Sequence, residues 1–263
     1  MPKSKPHLLV PMQRPEDVIP HLAKGVQHWK GGYSAHSLAT VWFAASGFPP
    51  KVRTLLDTHS VFRDVTMLDG FFEHQTELDD NGRPSQTDLL VLAKTSKGLL
   101  IIGVEGKAEE SFGKRLSEWL GNGNAKAGRK KRLELLQKRL GLKSVDLSLR
   151  YQLFHCSAAC AIEAERYGAR HALLLIHSFS EKQTSLEDYK AFVAALGLDA
   201  STIPSAIAGP MKCQIGAIEI SLYFGWITDR HDAADFWSQL GSYTEQSTAY
   251  AQGLSDWIAK RGP

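Results

Sequence analysis

Residues 87–110 read TDLLVLAKTSKGLLIIGVEGKAEE, and the fold of the chain turns on them. Residues 89–93 and 99–104 are almost entirely Leu, Ile, Val and Ala, separated by a turn through 94–98. Apolar runs of this length without alternation predict two strands buried on both faces. Three ionisable residues stand at their ends: Asp88 opens the first run, and Glu105 and Lys107 close the second. Charged groups are costly to bury unless they are paired, hydrogen-bonded or bound to a metal.

Side chains alternate along a strand. Glu105 and Lys107 therefore point the same way, about 6–7 Å apart at a rise of ~3.3 Å per residue. Gly106 between them adds no side chain and leaves its carbonyl open to approach. If the two runs form a hairpin, Asp88 becomes the cross-strand neighbour of the Glu105/Lys107 pair. Two carboxylates beside one ammonium can hold a hard divalent cation such as Mg²⁺ and a positioned water. The lysine can stabilise charge developing on a phosphate or help to deprotonate the attacking water.

This Asp-x16-Glu-x-Lys arrangement, with Pro-Ser-Gln-Thr-Asp at 84–88, resembles the PD-(D/E)xK nuclease superfamily. The chain also looks like an uncharacterised bacterial group within it that shares Val-Glu-Gly-Lys (104–107), Arg-Tyr-Gln-Leu (150–153) and His-Ser-Phe-Ser (177–180). The resemblance covers about residues 65–179. It implies a restriction-endonuclease-like α/β fold, a mixed β-sheet flanked by α-helices. It also implies a Mg²⁺- or Mn²⁺-dependent hydrolysis of phosphodiester bonds in DNA or RNA. Asp88 and Glu105 would ligate the metal, and Lys107 would orient water or stabilise the pentavalent state. RecB-type members carry a supporting Gln in a Gln-Leu-x-x-Tyr pattern on the helix after the Glu-x-Lys strand. The run here is Gln152-Leu153-Phe154-His155, without the tyrosine. Many members also place an acidic ligand on the first helix, and residues 34–46 contain none.

At 263 residues the chain is long enough for a large core, and a single domain with N- and C-terminal helical elaborations is the economical reading. No apolar run approaches the ~20 residues that span a bilayer. The N-terminal apolar run is too short for a secretory signal, and three cysteines argue against a disulfide framework. A cytoplasmic protein is expected.

Outside the central stretch, 1–33 has several prolines and a Gly-Gly pair and reads as an irregular arm. Helices are expected over 34–46 and from Pro50 to about 58. Residues 65–78 read as the first strand region, followed by an Asp-Asp-Asn-Gly turn (79–82). Glu73 in that strand is a candidate third metal ligand. From 114 to 143 there are ten basic residues against two acidic ones, net +8, which leaves −5 on the rest of a chain of net charge +3. Such polarisation suits phosphate-backbone binding through Lys114, Arg115, Lys126, Arg129, Lys130, Lys131 and Arg132. DNA is the favoured partner over RNA, and a homo-oligomer is also allowed.

Within 114–143 a helix is expected over 129–140. A longer one is expected over 145–168, with Asp146 as its cap and a polar stripe of Gln152, His155, Ala159, Glu163 and Arg166 on one face. Residues 171–179 predict a buried strand parallel to its predecessor, with His177 and Ser178 at its end. Ser185 opens a helix to about 196, 215–227 is a late strand, and 233–260 is helical with Trp237, Tyr243, Tyr250 and Trp257.

The chain lacks a phosphate-loop motif, a dinucleotide-binding glycine motif and a nucleophile elbow. Cys156 and Cys160 have no partner cluster that would make them zinc ligands. The alternatives to a nuclease are a catalytically inactive relative binding nucleic acid or a protein partner, and an assembly protein using its aromatic C-terminal region.

Overall fold

Strands β2 (Ser85–Thr95) and β3 (Gly98–Lys107) pair antiparallel, from Leu89 opposite Val104 to Thr95 opposite Gly98. The turn is tighter than expected because Gly98 has φ 129°, a conformation open to glycine and strained for other residues. Both strands also run further than their apolar cores. Asp88 and Glu105 therefore lie within strands, and Lys107 closes β3.

The protein is described here from a computed structural model covering residues 11–45, 47–79, 82–122 and 125–229. The chain divides into a unit Met1–Asp229, which holds every element below, and a unit Arg230–Pro263. The expected helix over 233–260, with Trp237, Tyr243, Tyr250 and Trp257, lies outside the described residues.

Strand β1 (Thr66–Thr76) adds antiparallel to β2. The chain then crosses through α3 (Leu116–Leu120), α4 (Ala125–Arg139) and α5 (Tyr151–Arg166) to β4 (His171–Ser178), which lies parallel to β3. Beyond it, β6 (Ile218–Thr228) is parallel to β4, and β5 (Ala208–Ile215) is antiparallel at the edge. The result is a six-stranded mixed sheet in the order β1-β2-β3-β4-β6-β5. Only one late strand was expected where β5 and β6 form a pair. β5 contains Gly209 and Pro210, which weaken a strand pattern and confine it to an edge.

Alternation sorts the core between the two faces. Leu89, Val91, Ile102 and Val104 pack with Leu38 and Trp42 of α1 (Ser34–Ala45) and with Val52, Leu55 and Leu56 of α2 (Pro50–Asp57). Leu90, Ile101, Leu174 and Ile176 pack on the other face against Leu153 and Phe154 of α5, Leu136 of α4, and Phe192 of α6 (Leu186–Ala195). Each such side chain contributes about 1.5–3 kcal/mol over its exposed state. The expected cap of α6, Ser185, instead donates its hydroxyl to the Glu110 carbonyl at 3.0 Å.

Helix α5 starts at Tyr151, six residues later than expected. The preceding segment turns through 147–148 and pairs with 114–117: Leu116 N–H donates to Leu149 O at 2.8 Å, and Tyr151 N–H to Lys114 O at 3.1 Å. Asp146 caps only a local turn through Ser148 N–H at 2.8 Å. The polar stripe of α5 faces the sheet and reaches three strands in turn. Gln152 meets Glu105 on β3, His155 meets Ser85 on β2, and Glu163 meets Thr76 and His74 on β1.

Close packing of α5 on β3 depends on Gly103, where an added methyl would run into Cys160 Sγ. Gly103→Ala is expected to destabilise the protein by about 1–3 kcal/mol, as overpacking does. Urea denaturation should show Gly103→Ala/Cys160→Ala more stable than Gly103→Ala alone; equal or lower stability would sink this account of the contact.

Candidate functional site

Three adjacent strands each bring one carboxylate to the same row. The β1–β2 register places Phe72 opposite Leu89 and His74 opposite Thr87, so Glu73 falls level with Asp88. The β2–β3 register, continued one step past Leu89 and Val104, sets Asp88 level with Glu105. Glu73 has φ 53° in the middle of a strand, a left-handed conformation that a glutamate adopts only under tertiary constraint. Its Oε2 accepts a short hydrogen bond from Gln86 Nε2.

Lys107 Nζ donates to Glu105 Oε1 at 2.9 Å, and both side chains are about 5% exposed (6% and 5%). The same oxygen accepts from Gln152 Nε2 at 2.5 Å. The other Glu105 oxygen receives the Cys156 thiol at 3.5 Å. Asp88 Oδ2 accepts the Gly106 backbone N–H at 2.8 Å. The Phe112 ring stands 5.1 Å from Lys107 Nζ, adding a cation–π contact to a desolvated ammonium.

The electrostatics follow from this crowding. Burial pushes the Asp88 carboxyl well above the usual range, and the charges of Glu105 and Glu73 push it further, against the pull of Lys107 and the Gly106 N–H. Burial also raises Glu73, to about 7; its hydrogen bond from Gln86 opposes this and the Glu105 charge reinforces it. Burial alone would lower Lys107, but Glu105 and Asp88 outweigh it and hold the ammonium above the ordinary lysine value. With no cation at the carboxylates the lysine is held as the ammonium, which suits it to stabilise charge or to orient water.

Three carboxyl groups thus interact around one ammonium, and burial with mutual repulsion disfavours ionising all three at once. Carboxylate oxygens are the hard donors that Mg²⁺ and Mn²⁺ take, and a cation would favour their ionised forms. Among the described residues, no group of three or more His, Cys, Asp or Glu side chains is placed to hold a metal ion. A cation at Asp88 and Glu105 would therefore keep water or phosphate oxygens in its remaining positions, as Mg²⁺ commonly does. In donor chemistry alone, these two carboxylates suit such an ion.

The other candidates separate. His155 Nδ1 lies 2.8 Å from Ser85 Oγ, and burial, with Arg132 and Lys107 nearby, drives its pKa to about 3, so it is neutral. His177 lies on the opposite face of the sheet, its Nδ1 accepting from Trp42 Nε1 at 3.1 Å and its Nε2 facing Asp229 Oδ2 at 3.2 Å. Lys114, Lys126 and Lys130 are exposed. Arg115 donates to the Ser148 carbonyl at 2.6 Å, within the segment that delays α5. Arg129, Lys131 and Arg132 border a cleft with Trp119 and Tyr151. Those two aromatic residues escaped the sequence reading, although Trp119 sits in the basic segment just before its Gly-Asn-Gly-Asn loop. Among the described residues, no helix is long and apolar enough to cross a membrane.

The shift of Glu73 has a definite sign. Its carboxyl titrates near 4.5 when unfolded and about 7 when folded, so the native state binds the proton more tightly. In metal-free buffer its contribution to stability falls as pH rises through that window, and the loss is complete above it. The buried His155 and His177, whose pKa values are lowered, act in the opposite direction. The test is therefore the wild-type-minus-Glu73→Gln difference in unfolding free energy between pH 5 and 8. This difference should decline with pH, and a flat or rising one would refute the assignment.

Comparison with known proteins gives a family and no named relative. No curated protein and no solved structure matches the chain. The model of a family described as "Domain of unknown function (DUF6946)" matches residues 11–231. That span holds every described residue, and the protein belongs to the DUF6946 family.

Proposed function

We propose that this protein is a divalent-metal-dependent nuclease that hydrolyses phosphodiester bonds, with DNA the favoured substrate over RNA. The observation that carries the reading is the row Glu73–Asp88–Glu105 on three adjacent strands, with Lys107 ion-paired at its end. The path from α1 through three antiparallel strands and a helical crossover to a parallel β4 supports a restriction-endonuclease-like fold.

In this reading Mg²⁺ or Mn²⁺ on Asp88 and Glu105 supplies an acidified water and positive charge at the scissile phosphate. The protein's own groups do the rest. Gln152 Nε2 fixes Glu105 Oε1 so that the carboxylate does not rotate away. Lys107, paired with Glu105 and screened from solvent, orients water or lowers the energy of the negative charge that builds on the phosphoryl oxygens. Glu73, level with Asp88, would be a third carboxylate for the ion. The exposed lysines of the basic segment hold the flanking backbone.

One observation favours a second reading, a nucleic-acid-binding protein without catalysis. Glu105 Oε1 is already shared by Lys107 and Gln152 and Oε2 by Cys156, so its lone pairs are heavily engaged. α1 also brings no acidic residue to the row.

Cleavage of single- and double-stranded DNA and RNA with Mg²⁺ or Mn²⁺ separates the two readings. Lys107→Ala should lower the rate on the order of 10²-fold or more. Because that change leaves Glu105 buried without its counter-charge, Asp88→Asn is the companion variant. It removes charge repulsion, and should abolish cleavage while keeping or raising the melting temperature. Salt-sensitive binding with no cleavage by wild type would establish the second reading instead.

A further inference from the structure

Beside the carboxylate row lies a cleft of about 640 Å³, within the ~300–1,000 Å³ of small-molecule sites. It opens between the β1–β2 connection, α3, α4 and the first two turns of α5. One wall is a stacked pair of rings, Trp119 on Tyr151, with centroids 3.7 Å apart and planes 10° from parallel. Both rings are only half-buried. His155, tilted against Tyr151 at 5.0 Å, forms part of the floor as a neutral ring. The rim is basic: Arg83, Arg129, Lys131 and Arg132 stand against one carboxylate, Asp79, which pairs with Arg132 at 3.5 Å.

The position of the cleft follows from helical spacing. Tyr151 and His155, four residues apart, make one ridge of α5 and face the cleft. Gln152 and Cys156, the next ridge, face Glu105. The two sites are therefore neighbours, separated by one row of side chains. Flat aromatic surface with exposed cations at its edge takes an anion that carries a planar ring. Bases stack on aromatic side chains whatever their sequence, and Arg and Lys hold phosphate.

We propose that this cleft binds one nucleotide, its base against the Trp119–Tyr151 stack and its phosphate on Arg129 and Lys131. The inference deepens the nuclease reading by naming the substrate as a strand with an unpaired nucleotide, and it rests on that reading only for the source of the nucleotide. A base inside a duplex has both faces covered and cannot stack here.

The test is calorimetric titration of the full-length wild-type protein in EDTA, so that no turnover is needed and a failure of catalysis does not affect the result. The probes are dAMP, deoxyadenosine, inorganic phosphate, a single-stranded dodecamer and the same dodecamer in duplex. dAMP should bind at least about tenfold more tightly than deoxyadenosine or phosphate, and Trp119→Ala should weaken it by about tenfold. Arg129→Glu/Lys131→Glu, at exposed positions that leave packing alone, should weaken it as much and keeps the test valid if Trp119→Ala misfolds. Competition by the single strand identifies a strand as the source, and binding of dAMP without such competition identifies a free nucleotide; both support the site. Phosphate binding as tightly as dAMP, affinity confined to the duplex, or no binding of dAMP would overturn it.

Discussion

The buried ion pair between Lys107 and Glu105 sets the terms for the surrounding structure. Two charges 2.9 Å apart, almost wholly removed from water, are tolerable only while every lone pair and proton around them is engaged. Removing one partner of such a pair costs about 3–5 kcal/mol, because the other is left buried and uncompensated. Gln152, Cys156 and Phe112 converge on it from outside the sheet. Apolar packing alone would let a helix slide on a sheet with little change in buried area. The polar stripe of α5 does not, since Gln152, His155 and Glu163 each have a partner on a different strand. The helix is thereby locked at the angle and depth that give Glu105 its neighbours.

That stripe also explains what sequence could and could not reveal. Runs of Leu, Ile and Val over 89–93 and 99–104 state their own burial, and a short turn between them fixes which residues face each other. Asp88 beside Glu105 was therefore legible. The positive φ of Glu73 was not, because nothing in Phe-Phe-Glu-His distinguishes a regular strand from one bent at the glutamate. The late start of α5 was hidden for a different reason: residues 147–150 are used to pair with 114–117, a tertiary claim that local helical preference cannot anticipate. Trp119 and Tyr151 are likewise far apart in sequence, and their stacking exists only once α3 and α5 are packed. β5 was missed because an edge strand with Gly209 and Pro210 gives up the alternation that announces interior strands.

Charge is distributed as two opposed neighbours rather than as a uniform surface. The row on β1–β3 gathers three carboxyl groups, while α4 and its approach carry the basic excess of the chain. Under the proposed function, an anionic polymer would be held by the second, and a divalent cation at the first would favour the ionised carboxylates that burial and mutual repulsion disfavour. The proposed roles would then be separate: the cations of the cleft would hold without a metal, and the carboxylates would act with one.

Asp88 shows most clearly that the row is not assembled for stability. The fold uses its side chain for one hydrogen bond, from the Gly106 N–H, and an amide oxygen at that position would accept it equally well. Its negative charge is disfavoured by burial and by the charges of Glu105 and Glu73, and Lys107 and the Gly106 N–H offset this only in part, so the carboxyl is pushed well above its usual range. Glu105 is different, since its charge neutralises Lys107 and its oxygens anchor α5. A carboxylate that the scaffold would hold more easily as an amide accords with the metal-binding role proposed for it. In the row Glu73–Asp88–Glu105, that argument applies with most force to the central member.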